Sequence, residues 1–543
     1  MGKAWLAGWR PHLLLGILCL CLYVPGIAAI PVLDRDEARF AQATRQMLES
    51  GDFLHIRFQD EARNNKPAGI YWLQAASVGA LSTPQSTAIW PYRVPSLLGA
   101  SLAVMLTFGI GSVLVGSSRT AMIAAVLLAT ALGTVAEAHI AKTDAALLAA
   151  VVAGQGALGL AYIRGRDGAR IGPGVAATFW LSEIAAIFLK GPLGPGLAFL
   201  TAVTLSIADR DARWLRGLRP LGGLAVMVLV VAPWLYAIEH ATEGKFLSQS
   251  LGHDFLSKLL GEQEAHGAPP LYYLGLAFLT FWPGSLYLAP AVIEGFRRRA
   301  QPAARFLLAW LVPGWIVLEL VPTKLPHYAL PLYPALALLA ADVVGEGWNA
   351  PRWARWITTA NTALWLLVTL AIAAALIAMP IRFGTGPASA GIVGAGLLIA
   401  LATAFFYWWP GPAGSTALLA ALALALVVPA ASFVVPSLDR LWLSREAAAL
   451  VARHPPPDGV PLTIIGYNEP SLVFLLRGDL KSGMADAPVA AGGEALVSDR
   501  QAAQFEQELA SRGLAGQTID SVRGTDYSNG ERMTLTLYRI GPK

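Results

Sequence analysis

The chain has 543 residues, of which 55% are hydrophobic and only 14% charged, where a soluble domain carries about 25% charged residues. So few charges exclude a water-facing surface over most of its length. The net charge of +5 is not a nucleic-acid signal, because the arginines sit in short clusters between apolar runs, where they orient helices.

Long apolar runs recur from Leu13 to Val435, and charge density rises only from Asp439 onward. Each run is near the roughly 20 residues needed to cross a bilayer. Thirteen spans are predicted, at about 13–32, 93–115, 120–136, 145–163, 173–189, 192–208, 220–238, 271–293, 306–321, 329–345, 357–379, 388–409 and 416–435. The first run follows Lys3 and Arg10 as a secretory leader would, but the acidic loop and the spans behind it make it a retained membrane helix. Its cysteines, Cys19 and Cys21, lie two residues apart and do not face each other on a helix, so no disulfide is expected.

An odd number of spans puts the termini on opposite sides. One set of loops holds sixteen basic residues: Lys3, Arg10, Arg119, Arg164, Arg166, Arg170, Arg352, Arg355 and the arginines of 210–219 and 297–305. The alternate short loops hold four, Lys142, Lys190, Lys324 and Arg382. The positive-inside rule makes the first set, and the N-terminus, cytoplasmic. The long loops 33–92 and 239–270 and the tail then lie outside. The expected fold is an all-α polytopic membrane unit over 1–436 and a small soluble α/β unit over 437–543. Strands are predicted in the tail at Leu462–Gly466, Ala495–Ser498, Thr518–Val522 and Met533–Ile540, with a helix over 499–512.

The outer loops carry most of the chemistry, including Glu137, His139, His253 and Asp254 beside the motifs that follow. Charges at a membrane boundary cost free energy unless they pair, face water or serve a site. In Leu33-Asp34-Arg35-Asp36-Glu37-Ala38-Arg39-Phe40, Asp34 and Glu37 have the spacing of a capping box. A helix is predicted from there to Ser50, stopped by Gly51, with Phe40, Ala43 and Met47 on one face at the membrane surface. Asp36 and Glu37 fall in its first turn, where the helix dipole favours carboxylates. They either cap the helix or hold an ionised carboxylate ready to accept a proton. Lys66-Pro67, followed by Tyr71-Trp72, is either a snorkelling lysine or a fixed charge at an interfacial element. Lys142-Thr143-Asp144 and Lys190-Gly191-Pro192 set cations at tight outer turns, for a salt bridge or for a ligand. The stretch from Pro322 to Pro331 is stiffened by its prolines and fixes Lys324, His327 and Tyr328 at the head of a span. Lysines gathered on one side suit a phosphate or pyrophosphate. Asp36 and Asp144 add carboxylates that a sugar phosphate with a nucleophile beside it would want.

Taken in order, Asp36-Glu37-Ala38-Arg39-Phe40, Lys66-Pro67 with Tyr71-Trp72, Thr143-Asp144, Lys190-Gly191-Pro192 and Lys324-Leu325-Pro326-His327-Tyr328 resemble the GT-C membrane glycosyltransferases. Within them the similarity is to the lipid A aminoarabinose transferases and the protein O-mannosyltransferases, and it extends to Gly466-Tyr467-Asn468-Glu469-Pro470-Ser471-Leu472 in the tail. The resemblance implies a polyprenyl-phosphate-linked sugar donor and inverting transfer to an acceptor at the outer face of the inner membrane. Lipid A or another lipopolysaccharide glycolipid is the first acceptor, and a protein hydroxyl the alternative. The resemblance implies Asp36 as the first-loop catalytic aspartate and Asp144 as the second acid. Lys66, Lys190 and Lys324 correspond to donor-phosphate contacts, with Tyr328 near the donor; Glu37, His327 and Glu469 are further site candidates. It names no cofactor with certainty. A divalent metal stays open, because Asn65 stands where the aminoarabinose transferases usually carry a glutamate that can take part in metal binding. A reading of another class, a lipid or solute transporter or flippase, fits less well. Transporters set their polar residues near the bilayer midplane and often show inverted repeats, whereas here those residues lie at the outer edge.

Overall fold

The computed structural model describes residues 8–250, 269–346, 348, 350–386, 388–408, 411–456, 462–476, 480–482 and 492–543. His253 and Asp254 lie outside the described residues. With single helical turns left unnumbered, α1 (Arg10–Tyr23) opens the chain, followed by the first long loop. That loop holds α2 (Asp36–Ser50), the strands β1 (Arg57–Phe58) and β2 (Glu61–Ala62), and α3 (Gly69–Leu81). The membrane unit continues through α4 (Trp90–Leu114), α5 (Ser118–Thr130), α6 (Leu132–Ala138), α7 (Asp144–Arg166), α8 (Pro173–Lys190), α9 (Leu193–Asp209) and α10 (Pro220–Ala241). It ends with α11 (Tyr272–Thr280), α12 (Leu288–Arg297), α13 (Pro302–Leu320), α14 (Tyr333–Glu346), α15 (Arg355–Phe383), α16 (Ser389–Trp408) and α17 (Pro412–Pro429).

A helix occupies each predicted apolar run, but the runs are not equivalent. Among the described residues nine helical segments are long and apolar enough to cross a membrane, and the bent pair α5–α6 makes ten. Two runs are broken. The axis turns by 60° between α5 and α6, at Ala131, whose ψ of 124° is not helical. The run 271–293 is interrupted between α11 and α12, where Pro283 lacks the N–H that a continuous helix needs. The two breaks meet: the Leu132 N–H donates to the Trp282 carbonyl at 3.1 Å. Each therefore satisfies backbone that lipid could not.

Burial differs sharply among the spans. The apolar windows of α7 and of the span 326–345, which enters α14 through a 3-10 turn, are 78% and 83% buried, against 11% for α10. The two enclosed spans begin at Asp144 and at Pro326-His327, so the centre of the bundle delivers two predicted site residues to one end. Gly99 allows α4 to close on α7; a Cβ there would lie 2.6 Å from the Ala146 Cα.

The loop helix α2 ends at Ser50, and Gly51 adopts φ 69°, the left-handed stop expected of it. Phe40, Ala43 and Met47 are buried together, as predicted. The capping box is not formed. Asp34 makes no bond to the helix; instead its Oδ1 accepts from the Ser471 N–H in the tail at 3.3 Å. Glu37 is 1% exposed and pairs with Arg93, itself fully buried: Arg93 Nε and Nη2 donate to its two oxygens at 2.8 Å. The N–H groups of Leu33 and Ala141 also donate to it, each at 2.8 Å. Its carboxylate therefore ties α2, α4 and the loop before α7 together.

The tail consists of α18 (Leu443–Arg453), β3 (Leu462–Ile465), α19 (Pro470–Leu475), β4 (Lys481–Ser482), β5 (Glu494–Ser498), α20 (Ala502–Ser511), β6 (Leu514–Asp526) and β7 (Glu531–Pro542). Its five-stranded sheet has the order β4-β3-β5-β7-β6; β3 runs parallel to β4 and β5, and β7 antiparallel to β5 and β6. All four predicted strands and the helix are found. Docking onto the first loop runs through Phe474, which is buried against Ala38, Ala41, Val78 and Tyr92. Arg45 donates to the Phe474 carbonyl at 2.6 Å and lies 4.1 Å from its ring centroid.

Candidate active site

Asp144 is the first residue of α7, where unpaired backbone N–H groups favour a negative charge. Lys190 is the last residue of α8, where the dipole favours a positive one. The two ends meet, and the Lys190 ammonium donates to Asp144 Oδ1. Lys142 approaches the other oxygen of Asp144 at 3.6 Å and Glu137 Oε1 at 3.0 Å. Burial opposes the charge on Lys142, but Glu137 and Asp144 outweigh it and raise its pKa, so the ammonium stays charged. His327 Nδ1 lies 3.1 Å from Lys142 Nζ, and Nε2 lies 3.8 Å from Asp144 Oδ1. An ammonium has no acceptor, so Nδ1 accepts and the ring proton sits on Nε2, facing the carboxylate. Two acids, two lysines and one imidazole thus form one enclosed network.

Beside this network opens a cavity of about 420 Å³. Its walls come from α9 (Leu193, Leu197, Phe199, Leu200), from α13 (Val317, Leu318) and from Leu332. Its polar lining side chains are Lys66, Lys190 and Tyr328, so an apolar groove carries positive charge along part of its lining. Lys190 Nζ lies 5.2 Å from the Tyr328 ring centroid, and Lys66 is near enough for its charge to act on His327. The sequence does not disclose this cavity, because its walls lie more than a hundred residues apart.

Of the predicted residues, Lys66, Lys190, Tyr328, His327 and Asp144 come together here. Lys324 does not line the cavity. It is 6% exposed and turned to the end of α13, donating to the Glu319 carbonyl at 2.6 Å, with the Glu319 carboxylate at 3.5 Å. Glu37 is enclosed in its own pair with Arg93. Asp36 is exposed and has no hydrogen-bond or ion-pair partner among the described residues. Its charge acts on Lys142 and on Arg39, which places it at the rim of the network. Glu469 reaches the same rim from the tail; its charge acts on Arg39 and on Asp34, and its Oε1 accepts from the Ser528 hydroxyl. Burial is the main cause that raises the Glu469 pKa, and burial with Glu469 alongside lifts Asp34 to about 6. Of the network members, Glu137 carries no role in the motif reading, and Lys142, read as a cation for a salt bridge or for a ligand, makes salt bridges to Glu137 and Asp144. The available signal is an acid at the end of an apolar run five residues before a lysine.

A divalent cation does not fit this donor set. Among the described residues no three His, Cys, Asp or Glu side chains converge to hold one. Glu137 and Asp144 face lysines, and Asn65 offers only a neutral amide.

The family model described as dolichyl-phosphate-mannose-protein mannosyltransferase matches residues 11–191. An undecaprenyl phosphate-alpha-4-amino-4-deoxy-L-arabinose arabinosyl transferase of Pseudomonas fluorescens is 28% identical over 62% of this chain and 60% of its own. The corresponding transferase of Pseudomonas paraeruginosa is 30% identical over 56% of this chain and 54% of its own. The chain thus spans a little over half the length of these curated relatives. The crystal structure of ArnT from Cupriavidus metallidurans bound to undecaprenyl phosphate superposes over 98% of both chains, with a TM-score of 0.73 at 19% identity. The chain has the GT-C fold. The match covers both the helical bundle and the C-terminal sheet of this chain, and the protein is an integral membrane protein.

Proposed function

We propose that the protein transfers a sugar, with inversion, from a polyprenyl-phosphate-linked donor to a glycolipid acceptor of the lipid A or lipopolysaccharide class. The observation that carries this reading is the cavity: apolar walls on α9 and α13 with Lys66, Lys190 and Tyr328 among them. A long isoprenoid needs the walls, and a phosphate needs the cations. The ArnT structure that shares the fold was solved with undecaprenyl phosphate, which supports the same class of donor.

In the reaction an acceptor oxygen attacks the anomeric carbon as the bond from that carbon to the phosphate oxygen breaks. The bonding pair leaves with the phosphate, whose charge Lys66 and Lys190 stabilise. Asp144 holds Lys190 and Lys142 in place and serves positioning; with its oxygens facing lysines it is poorly placed to take a proton. Asp36, open at the rim, orients the acceptor or receives its proton. Lys324 supports the cavity wall by anchoring the end of α13. No step is routed through a metal. The basic loops support a cytoplasmic N-terminus and a periplasmic tail, so that transfer occurs at the outer face of the bacterial inner membrane. The match to a protein mannosyltransferase model over residues 11–191 favours a protein hydroxyl as the second acceptor, because that segment holds Asp36, Lys66, Asp144 and Lys190.

The test is transfer by purified full-length protein from synthetic polyprenyl-phosphate sugars to lipid A or to a Ser/Thr peptide, followed by mass spectrometry. A glycosylated lipid A is the expected product. Glycosylated peptide alone would move the acceptor to protein, and no product with either acceptor would overturn the reading.

A further inference from the structure

A second basic cavity, of about 410 Å³, lies where the membrane unit meets the tail, and it shares no residue with the cavity beside Asp144. Arg382, Phe383, Arg440, Arg523, Gly524, Thr525 and Arg532 line it. Three separate parts of the chain supply the arginines. Arg382 comes from the last turn of α15, Arg440 from the turn before α18, and Arg523 and Arg532 from the paired strands β6 and β7. The strand register sets Thr525 opposite Arg532, so Arg523, two residues before Thr525, shares its face of the sheet. Gly524 brings β6 against the Arg440 turn; a Cβ there would sit 3.1 Å from the Arg440 carbonyl oxygen.

None of the four arginines has an acidic partner among the described residues. Arg440 Nη1 donates only to the Arg382 carbonyl, at 3.4 Å, and Arg382 lies over the Phe383 ring at 5.7 Å. Elsewhere acids answer such charges, as Asp439 and Glu446 answer Arg445 and Glu531 answers Arg500. Neighbouring like charges repel, and arginine's fork of donors matches phosphate oxygens. The level of the cavity identifies the source of that phosphate. It opens where a 29-residue apolar helix ends, beside Ile381, which is 68% exposed. That is the depth of lipid headgroups.

We propose that this cavity binds the phosphate of an anionic lipid headgroup at the membrane surface on the tail's side. Occupied, it would fasten β6 and β7 to the bilayer, and it acts independently of the transferase reading.

The experiment uses the full chain in neutral detergent, with native mass spectrometry to count retained phosphatidylglycerol against phosphatidylcholine, and inorganic phosphate as competitor. The comparison is between wild type and the variant Arg382→Gln, Arg440→Gln, Arg523→Gln, Arg532→Gln, whose altered side chains are all exposed, so its melting temperature should be unchanged. Wild type should retain one more phosphatidylglycerol than the variant and no additional phosphatidylcholine. Affinity should fall roughly fivefold for each arginine neutralised and fall further with salt. Inorganic phosphate at the lipid's saturating concentration should not displace it. Equal retention by both proteins, equal retention of both lipids, or displacement by inorganic phosphate would each overturn the proposal.

Discussion

Around Asp144 the charges are enclosed and every cation faces an acid; at Asp36 the carboxylate stands in solvent with no partner among the described residues. Both acids open a helix, both fall within the matched mannosyltransferase segment, and motif spacing treats them alike. Their surroundings separate them. A carboxylate engaged by Lys190 and Lys142 is held in one geometry and can hold others. One that is free at a rim can meet a substrate. The difference teaches that acids of like spacing can meet opposite surroundings, and it is the basis for the proposed division in which the buried charges build the site and the exposed one serves the chemistry.

The contrast is broken most severely at the enclosed pairs. Replacing Glu37 by Gln should cost about 3–5 kcal/mol of stability, since it leaves the Arg93 guanidinium buried without its counter-charge. A melt in detergent should show the loss together with poor expression. A Glu37→Gln protein as stable as wild type would return Glu37 to the capping role that its spacing suggests.

At the cavity, Lys190→Met should lower turnover about 10²–10³-fold, the usual cost of removing one group that meets developing charge, and should weaken binding of polyprenyl phosphate. Lys324→Met separates lining from support. It should lower the melting point through a loss of about 1–2 kcal/mol at the end of α13, while the affinity for polyprenyl phosphate stays that of wild type. Affinity lost as severely as in Lys190→Met would put Lys324 back on the phosphate.

The smallest effect is one of pH. Asp34 is lifted by burial from 3.8 to about 6, so the docked tail binds its proton more tightly than the open chain does. This contribution to docking is full below about pH 3.8 and is lost as pH rises through about 6. Amide exchange in 469–475 should therefore be slower at pH 5 than at pH 8, and Asp34→Asn should remove most of that dependence. Exchange that slows as pH rises, after correction for intrinsic rates, would reverse the sign and the assignment.

What the sequence disclosed follows from the range of each interaction. The amphipathic face of α2, its Gly51 stop and the strands of the tail are local patterns with fixed periods, and they appear as read. The partner of Glu37 lies 56 residues away in Arg93, so the three-residue spacing from Asp34 suggested a cap where the fold builds a cross-tie. Lys324 has a proline two residues away on each side, Pro322 and Pro326, which makes its rigidity legible but not its direction. The two broken spans were read as continuous because hydropathy averages over the residue that breaks them. The second basic cavity could not be read at all, since its arginines come from 382, 440, 523 and 532.

The central claim is that Asp36 does the chemistry and Asp144 holds the site. Its most direct test is Asp36→Asn and Asp144→Asn measured side by side, by turnover from a polyprenyl-phosphate sugar and by thermal melting. Asp36→Asn should melt like wild type and lose about 10²–10⁴-fold in turnover. Asp144→Asn should lose stability and donor affinity as well, because it leaves two lysines without their shared counter-charge. A stable Asp36→Asn protein that turns over at the wild-type rate would contradict the account.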